Sequence, residues 1–298
     1  MKITLGAKGR FKVQVLRADG SVRLDRPWQD NLITNFGMDY MTGRYRDTIG
    51  SSEFMYYCRV GTGTSTPAVG DVQLGNQIGV RDWTSQNNPA PVAAAAEPYA
   101  SAIRVYAFNR GAVVGNLTEL GLSMQQTGSN LCTRALFLDA NGQPVTIVVA
   151  ADEQLIVTYE VRMYIPTTPT TSTVTDPTTG IEYTIRALPC NAVSWIWMNY
   201  LLGGQLGAQP NLISNITTYG YSGPTAELRE WHNTPLGVEN SGGCDYQSFP
   251  VTDGTYARDS VITFRLDAFN GVDIKIVRLT ESSPSYFAVV FRPVQLEV

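Results

Sequence analysis

The sequence is poor in charged residues, and this shortage already narrows the classes of function. Only 16% of its 298 residues are charged and 43% are apolar, whereas a typical soluble domain has about 25% charged residues. Such a balance is typical of an ordered globular chain rather than a disordered one. The formal net charge is −4 and the isoelectric point is near 5.1, so the chain lacks the basic surface that attracts nucleic-acid phosphates. We therefore expect no nucleic-acid partner.

The sequence also has no long hydrophobic run. No apolar stretch approaches the roughly 18 residues that a membrane-spanning helix requires, and residues 1–10 lack the apolar core of a signal peptide. We expect a protein that is made in a cytoplasm and does not insert into a membrane.

Cysteine and histidine are too sparse for most metal sites. The four cysteines stand at least 54 residues apart, without the CxxC spacing of zinc sites, and we expect reduced thiols without a chemical role at Cys58, Cys132, Cys190 and Cys244. The single histidine, His232, has no GxSxG or comparable nucleophile motif beside it. We expect a packed or surface histidine there, and no transition-metal site.

Acidic residues leave glycan hydrolysis as an alternative chemistry. The candidates are Asp139, Asp152, Glu153, Asp253, Asp259 and Asp267. They fall at predicted turns and strand ends, where acidic residues are commonly solvated turn formers, whereas glycosidases need two carboxylates at a defined separation. The glycines of residues 61–63 do not predict a phosphate site, because no GK[ST] follows them. We predict no enzyme activity, with no catalytic, cofactor-binding or metal residues.

Alternation of apolar and polar side chains is the dominant pattern, and it predicts an all-β fold. Residues 153–165 are the clearest case, with Leu155, Val157 and Tyr159 on one face and Thr158 on the other. Further strands are predicted at 11–16, 21–24, 54–60, 103–108, 117–124, 131–138, 145–149, 181–186, 193–198, 261–266, 274–279 and 286–291. With short connections between them, we expect an antiparallel β-sandwich or jelly roll.

The sequence also predicts hairpin turns and a few segments that do not follow the strand pattern. Hairpin turns are expected at Asp19-Gly20, Asn141-Gly142 and Asn270-Gly271. A helix is predicted over 31–43, where Thr34 or Asn35 can cap its first turn, and residues 192–202 fit either a strand or a short helix. Residues 70–98 are small and polar, and we expect a long exposed excursion there.

A Thr- and Pro-rich stretch divides the chain. Residues 166–180 hold eight threonines and three prolines, a stiff polar composition expected of a linker or a projecting loop. We predict a β-sandwich domain at 1–165 and a second β-rich region at 181–298, which is either an independent domain or the completion of the first sandwich.

Several segments resemble a known family. Residues 108–122, 133–147 and 152–162 look like a block found in virion structural proteins of tailed bacteriophages, and residues 31–37 and 57–63 are similar to upstream segments of that family, in the same order. The resemblance covers about residues 30–165. It implies a protein of the neck, collar or tail, or one associated with the tail fibres.

This resemblance implies a structural role inside the virion. The expected partners are copies of the same chain and other neck or tail proteins, arranged in a symmetric assembly. The alternative is a receptor-binding adhesin whose loops at 62–101 and 203–258 contact bacterial surface glycans. Aromatic residues of the second half could serve core packing, subunit contacts or glycan stacking: Trp195, Trp197, Tyr200, Tyr219, Tyr221, Trp231 and Tyr246.

Overall fold

The computed structural model describes most of the first half of the chain and shorter segments of the second. The described residues are 6–41, 54–87, 92, 97, 99–164, 170–175, 177, 180, 182–189, 216–221, 239–240, 244–248, 260–264, 276–281 and 294–297.

The first half contains twelve of the described strands and one helix. In chain order they are β1 (Gly6–Leu16), β2 (Val22–Asp25), β3 (Gln29–Ile33), α1 (Asn35–Met41), β4 (Tyr57–Gly61), β5 (Gln77–Asp82), β6 (Ser85–Asn87), β7 (Tyr99–Ala107), β8 (Gly115–Leu117), β9 (Glu119–Ser123), β10 (Thr133–Leu136), β11 (Ile147–Val149) and β12 (Gln154–Tyr164).

Ten of these strands form one antiparallel sheet that curls until its edges meet. Nine of the strands follow the order β5-β4-β9-β10-β3-β1-β12-β7-β6. The tenth strand, β2, is not part of this order and pairs with β1. The two edge strands are consecutive in the chain, with only Trp83 and Thr84 between them. The Trp83 amide donates to the Tyr56 carbonyl next to β4, and the Thr84 amide donates to the Val105 carbonyl of β7. The chain therefore crosses from one edge of the sheet to the other within two residues.

The hydrophobic core lies inside this curl. Strands β1 and β12 share the longest ladder of paired residues, in which Val13 is opposite Val157 and Phe11 is opposite Tyr159. All four of these side chains are at least 98% buried, because alternation places them on the same face of the sheet. The predicted antiparallel, sandwich-like β fold is confirmed, with its opposing layers supplied by one curled sheet.

The helix is shorter than the sequence pattern predicted. It spans Asn35–Met41, whereas the first residues of the predicted 31–43 helix belong to β3. Thr34 is the cap, since its Oγ1 accepts the Gly37 amide at 3.1 Å. The pairing of Leu32 and Ile33 with β10 explains the late start, because tertiary contacts override a helical spacing of apolar residues.

Two further predictions along the first half need correction. The strand predicted at 54–60 begins at Tyr57; residues 54–56 form a turn, which leaves Tyr56 36% exposed while Phe54 is buried. The exposed excursion predicted at 70–98 contains β5 and β6. These strands were missed because hydrogen bonding to β4 and β7, rather than an apolar face of their own, stabilises them.

Two of the predicted hairpin turns are confirmed, and the third lies outside the described residues. Gly20 and Gly142 have φ angles of 85° and 77°, which glycine adopts without steric cost. In each turn the preceding aspartate accepts a backbone amide hydrogen bond: Asp19 from Ser21 at 2.8 Å and Asp139 from Asn141 at 2.8 Å.

The second half is also β-rich in its described segments. Its strands are β13 (Thr170–Thr175), β14 (Glu182–Pro189), β15 (Ile216–Tyr221), β16 (Glu239–Asn240), β17 (Cys244–Ser248), β18 (Ser260–Phe264), β19 (Ile276–Glu281) and β20 (Val294–Glu297). Six of them form a sheet in the order β13-β14-β20-β19-β15-β16, and β17 pairs with β18. The stretch predicted as a linker or projecting loop therefore contains β13. The strands predicted at 193–198 and 286–291 lie outside the described residues.

One close backbone approach gives a testable prediction. A Cβ atom on Gly121 of β9 would lie 2.4 Å from the Thr133 carbonyl oxygen of β10, so the two strands must separate to accept a methyl group. We expect Gly121→Ala to lower the free energy of unfolding by about 1–3 kcal/mol, as overpacking does. Urea denaturation measures this, and Gly70→Ala is the control because nothing lies within 4 Å of its Cβ position. Equal stability of the two variants would contradict the strand packing.

Candidate functional site

The polar groups of the first half include a buried network, which we call the loop clamp. It consists of Glu119 on β9, Arg134 on β10 and Asp71 in the β4–β5 loop. Glu119 is fully buried and Arg134 is 3% exposed. Arg134 donates to Glu119 Oε2 at 2.8 Å and to Asp71 Oδ2 at 2.7 Å. Burial alone lowers the pKa of Arg134, but its hydrogen bonds to Asp71 and Glu119 raise it above the ordinary value.

The loop clamp also binds backbone amides of the β4–β5 loop. Glu119 Oε1 accepts the amides of Gly63 at 2.8 Å and Asn76 at 3.1 Å, and Arg134 donates to Ser65. A Cβ atom on Gly63 would lie 2.3 Å from this carboxylate. The glycine-rich stretch therefore lets the backbone approach a carboxylate of the protein itself.

The predicted outward polar face is more buried than the sequence indicated. We expect from the alternation that Glu119, Arg134, Glu160 and Arg162 pair across strands on a wet face. The pairing occurs between Glu119 and Arg134, but in the interior. Glu160 is only 4% exposed and binds Arg10 and Arg162. The wet-face interpretation is wrong for Glu119 and Arg134 because the β4–β5 loop folds over the ends of β9 and β10.

A second buried cation holds the loop between β9 and β10. Arg59 on β4 is 1% exposed; it donates to the carbonyl of Gln125 at 2.7 Å, to that of Gly128 at 2.9 Å and to the side chain of Asn130. Burial lowers the pKa of Arg59. All of these acceptors are neutral, so Arg59 fixes the loop through hydrogen bonds rather than through an ion pair.

Of the candidate catalytic groups, the structure describes Asp139, Asp152 and Glu153, and Asp152 is exposed in the turn before β12. Asp139 accepts amides within its own turn, and hydrogen bonds from Gln143 and Asn141 lower its pKa. Glu153 binds Arg23 and accepts the Ala150 amide, and the Arg23 hydrogen bond lowers its pKa most. Both carboxylates accept amides of their own turns, but Glu153 is only 7% exposed and is not the solvated turn former that the sequence predicted. His232, Asp253, Asp259 and Asp267 lie outside the described residues, as do the side chains of the second-half aromatics.

The two cysteines of the curled sheet are buried free thiols. Cys58 and Cys132 are fully buried, and burial raises the pKa of both thiols well above the ordinary value. We therefore expect iodoacetamide at pH 8 to leave both unmodified in the folded protein and to alkylate both in urea. Peptide mass spectrometry measures each site separately. Rapid native alkylation of Cys58 would contradict its placement in the core.

A cavity opens where the residues between β2 and β3 meet the loop after β10. Its volume is about 330 Å³, and its floor is formed by buried apolar side chains of the core. Arg26, Trp28 and Asp139 also line it. Sequence reasoning missed this site, although Trp28 follows Pro27 between two predicted strands, and a large aromatic residue beside a strand-breaking proline is a usable signal.

Neither metal ligation nor membrane spanning is indicated within the described residues. They contain no group of three His, Cys, Asp or Glu side chains that could hold a metal ion. No described helix has the length and apolar character needed to cross a bilayer.

Comparison with known proteins adds no relative: no family model, no curated protein and no solved structure matches this chain.

Proposed function

We propose that this chain is a structural component of a tailed-bacteriophage virion, placed at the neck or collar or associated with the tail or tail fibres. It is made in the host cytoplasm and acts through contacts with copies of itself and with other virion proteins. Its role is structural rather than catalytic, so its function resides in its surfaces.

The observation that carries this proposal is the position of the family-like segments in the fold. Four of these segments contain strands that are consecutive neighbours in the curled sheet. The strands are β4 in residues 57–63, β9 in 108–122, β10 in 133–147 and β3 in 31–37. The remaining segment, 152–162, contributes most of β12, which is paired with β1 beside β3. The resemblance thus falls on one contiguous structural unit rather than on scattered pieces.

Rigid surfaces support an assembly role. A particle protein must present the same shape to each neighbour, and a long free loop would lose entropy at every contact. Here the loop clamp ties residues 62–76 to β9 and β10 through a fully buried carboxylate. The loop is therefore ordered before any partner binds.

Strand β13 offers a surface for contacts between copies. It consists of Thr170–Thr175 and pairs with β14; within the described residues no strand pairs with its other edge. The segment carries no charge and no proline, and threonine and valine favour strands. Since uncharged edge strands readily pair with another chain, we expect β13 to contribute to oligomer formation.

Substitution of this edge tests the proposed assembly. Thr171 and Thr173 are both exposed, so a double Thr171→Lys, Thr173→Lys variant places like charges where two edges would meet. We expect the wild-type chain to form oligomers by mass photometry, and we expect the lysine variant to shift toward monomers. The matched Thr171→Ala, Thr173→Ala variant should remain oligomeric. A monomeric wild-type protein at micromolar concentration would contradict self-assembly.

A receptor-binding adhesin is the second candidate, in which the loops at 62–101 and 203–258 contact bacterial surface glycans. Binding of the isolated protein to a glycan array would support this function, with Trp231→Ala testing the predicted 203–258 contact. Ring-like oligomers without glycan binding would favour the structural role.

A further inference from the structure

The six-stranded sheet of the second half has two edges of different character. At one edge lies β13, whose six residues, Thr170–Thr175, carry no charge. At the other edge lies β16, which has only two residues, Glu239–Asn240, and one of them is acidic. Short strands and charged residues are common means by which proteins prevent pairing at a sheet edge. Among the described strands of this sheet, β13 is therefore the edge suited to pair with another chain.

The side chains of β13 alternate between the two faces of this sheet. Thr171, Thr173 and Thr175 are exposed, whereas Ser172 is half-buried and its hydroxyl oxygen is buried. The exposed face of this edge strand is thus a row of threonines at every second position. A strand that extends the sheet must keep the alternation and place its own exposed residues on the same side.

We propose that β13 pairs antiparallel with β13 of a second copy of this chain, about a two-fold axis at Thr173. An axis perpendicular to the sheet makes the two strands antiparallel and keeps the exposed faces of both copies on one side. Thr173 then lies opposite the second copy's Thr173, and Thr171 lies opposite the second copy's Thr175. Threonines directly opposite each other on antiparallel strands stabilise a sheet through side-chain hydrogen bonds.

Neighbouring registers match this pattern less well. An axis midway between Ser172 and Thr173 would place these two residues opposite each other, although one is half-buried and the other is exposed. An axis at Ser172 would leave Thr175 beyond the end of the other strand, and an axis at Val174 would leave Thr171 there. This inference rests on the proposed self-assembly, and it names the strand and the register through which two copies meet.

Single cysteine substitutions test this register by disulfide formation. Directly opposite residues of an antiparallel pair have Cα atoms about 4.5–5.5 Å apart, a separation that a disulfide bond can span. Thr173→Cys should therefore link two copies. Thr171→Cys alone should not, because the two substituted positions would lie about 13 Å apart along the strands. An equimolar mixture of Thr171→Cys and Thr175→Cys chains should form the link again, because these two positions are opposite.

Variants of the whole chain are oxidised with copper phenanthroline, and the linked dimer is measured by non-reducing electrophoresis and peptide mass spectrometry. We expect Thr173→Cys to give at least about ten times more linked dimer than Thr171→Cys. The wild-type chain, with its four native cysteines, gives the background. Ser172→Cys is the matched control, because in this register the two substituted positions are diagonal neighbours about 7–8 Å apart, too far for a disulfide bond.

The outcomes separate the β13 pairing from self-assembly in general. Linkage of Thr173→Cys and of the mixed chains, without linkage of Thr171→Cys or Ser172→Cys alone, would support the proposal. Linkage of all three single threonine variants would indicate parallel strands, and linkage of Ser172→Cys alone would indicate another register; either result would overturn the proposed pairing. Wild-type oligomers by mass photometry, with no variant linked above background, would overturn the pairing and leave self-assembly standing. A monomeric wild-type protein would overturn both.

Discussion

Replacing Val157 by aspartate is expected to remove most of the stability of the fold. Val157 is fully buried at the middle of β12, opposite Val13 of β1 on one side and Tyr106 of β7 on the other. A carboxylate at this position would be placed among buried apolar side chains, where an ionised group is strongly unfavourable. We expect the free energy of unfolding to fall by at least about 4–5 kcal/mol, out of the roughly 5–15 kcal/mol typical of a folded domain.

Soluble yield and thermal melting measure this effect, and Val148→Asp is the matched control. Val148 lies on β11 and is 54% exposed, so the same substitution leaves its carboxylate in water. We expect this variant to melt within a few degrees of the wild-type protein, because surface substitutions usually change stability by less than about 0.5 kcal/mol. Normal melting of Val157→Asp would mean that the inward face of β12 is assigned incorrectly.

Glu119→Ala should have the next largest effect, because it removes the centre of the loop clamp. The change leaves the buried Arg134 guanidinium with Asp71 as its only carboxylate partner in the network. It also leaves the amides of Gly63 and Asn76 without their acceptor. Removing one member of a buried ion pair costs about 3–5 kcal/mol, and we expect a loss of this size in urea denaturation.

A double variant separates the two parts of this effect. Glu119→Leu combined with Arg134→Leu removes both charges, and replacement of a buried ion pair by apolar residues is often nearly neutral. The Gly63 and Asn76 amides still lose their part-buried hydrogen bonds to Glu119, however, and a typical hydrogen bond contributes about 0.5–1.5 kcal/mol. We therefore expect the double variant to remain destabilised and the 62–76 loop to lose protection in hydrogen exchange.

The exposed ion pair Lys8–Glu97 provides the control for charge removal. Its side chains are 67% and 71% exposed, and exposed pairs contribute roughly 0–1 kcal/mol. Glu97→Gln should therefore leave stability nearly unchanged. A Glu119→Ala variant as stable as Glu97→Gln would contradict the buried network.

Local patterns were sufficient to predict the strands whose faces differ in polarity. Residues 154–164 alternate because one face packs on Phe11 and its neighbours, and the Asp19-Gly20 turn predicted the hairpin of β1 and β2 because glycine accepts positive φ. The sequence predicted Thr34 or Asn35 as the helix cap for the same kind of local reason, and Thr34 is the residue that caps the helix. In each case the physical cause lies within a few residues of the signal.

Long-range contacts account for what the sequence did not predict. Strands β5 and β6 lack a strong apolar pattern, and their existence depends on hydrogen bonds to β4 and β7. Glu119 and Arg134 were predicted to be exposed because charged side chains usually lie at the surface. In the structure, the distant loop 62–76 covers both of them. The cavity beside Trp28 likewise joins residues about 110 positions apart, so the local signal at Pro27 and Trp28 does not identify the residues that meet them.

Cryo-electron microscopy of particles tests the proposed virion role most directly. Particles purified by density gradient from bacteria that produce this chain would be reconstructed, and residues 6–164 would be fitted to the map. The account predicts several symmetry-related copies at the neck, collar or tail, in contact with one another or with neighbouring virion proteins. Particles whose densities are all explained by other chains, together with a purified protein that stays monomeric, would contradict it.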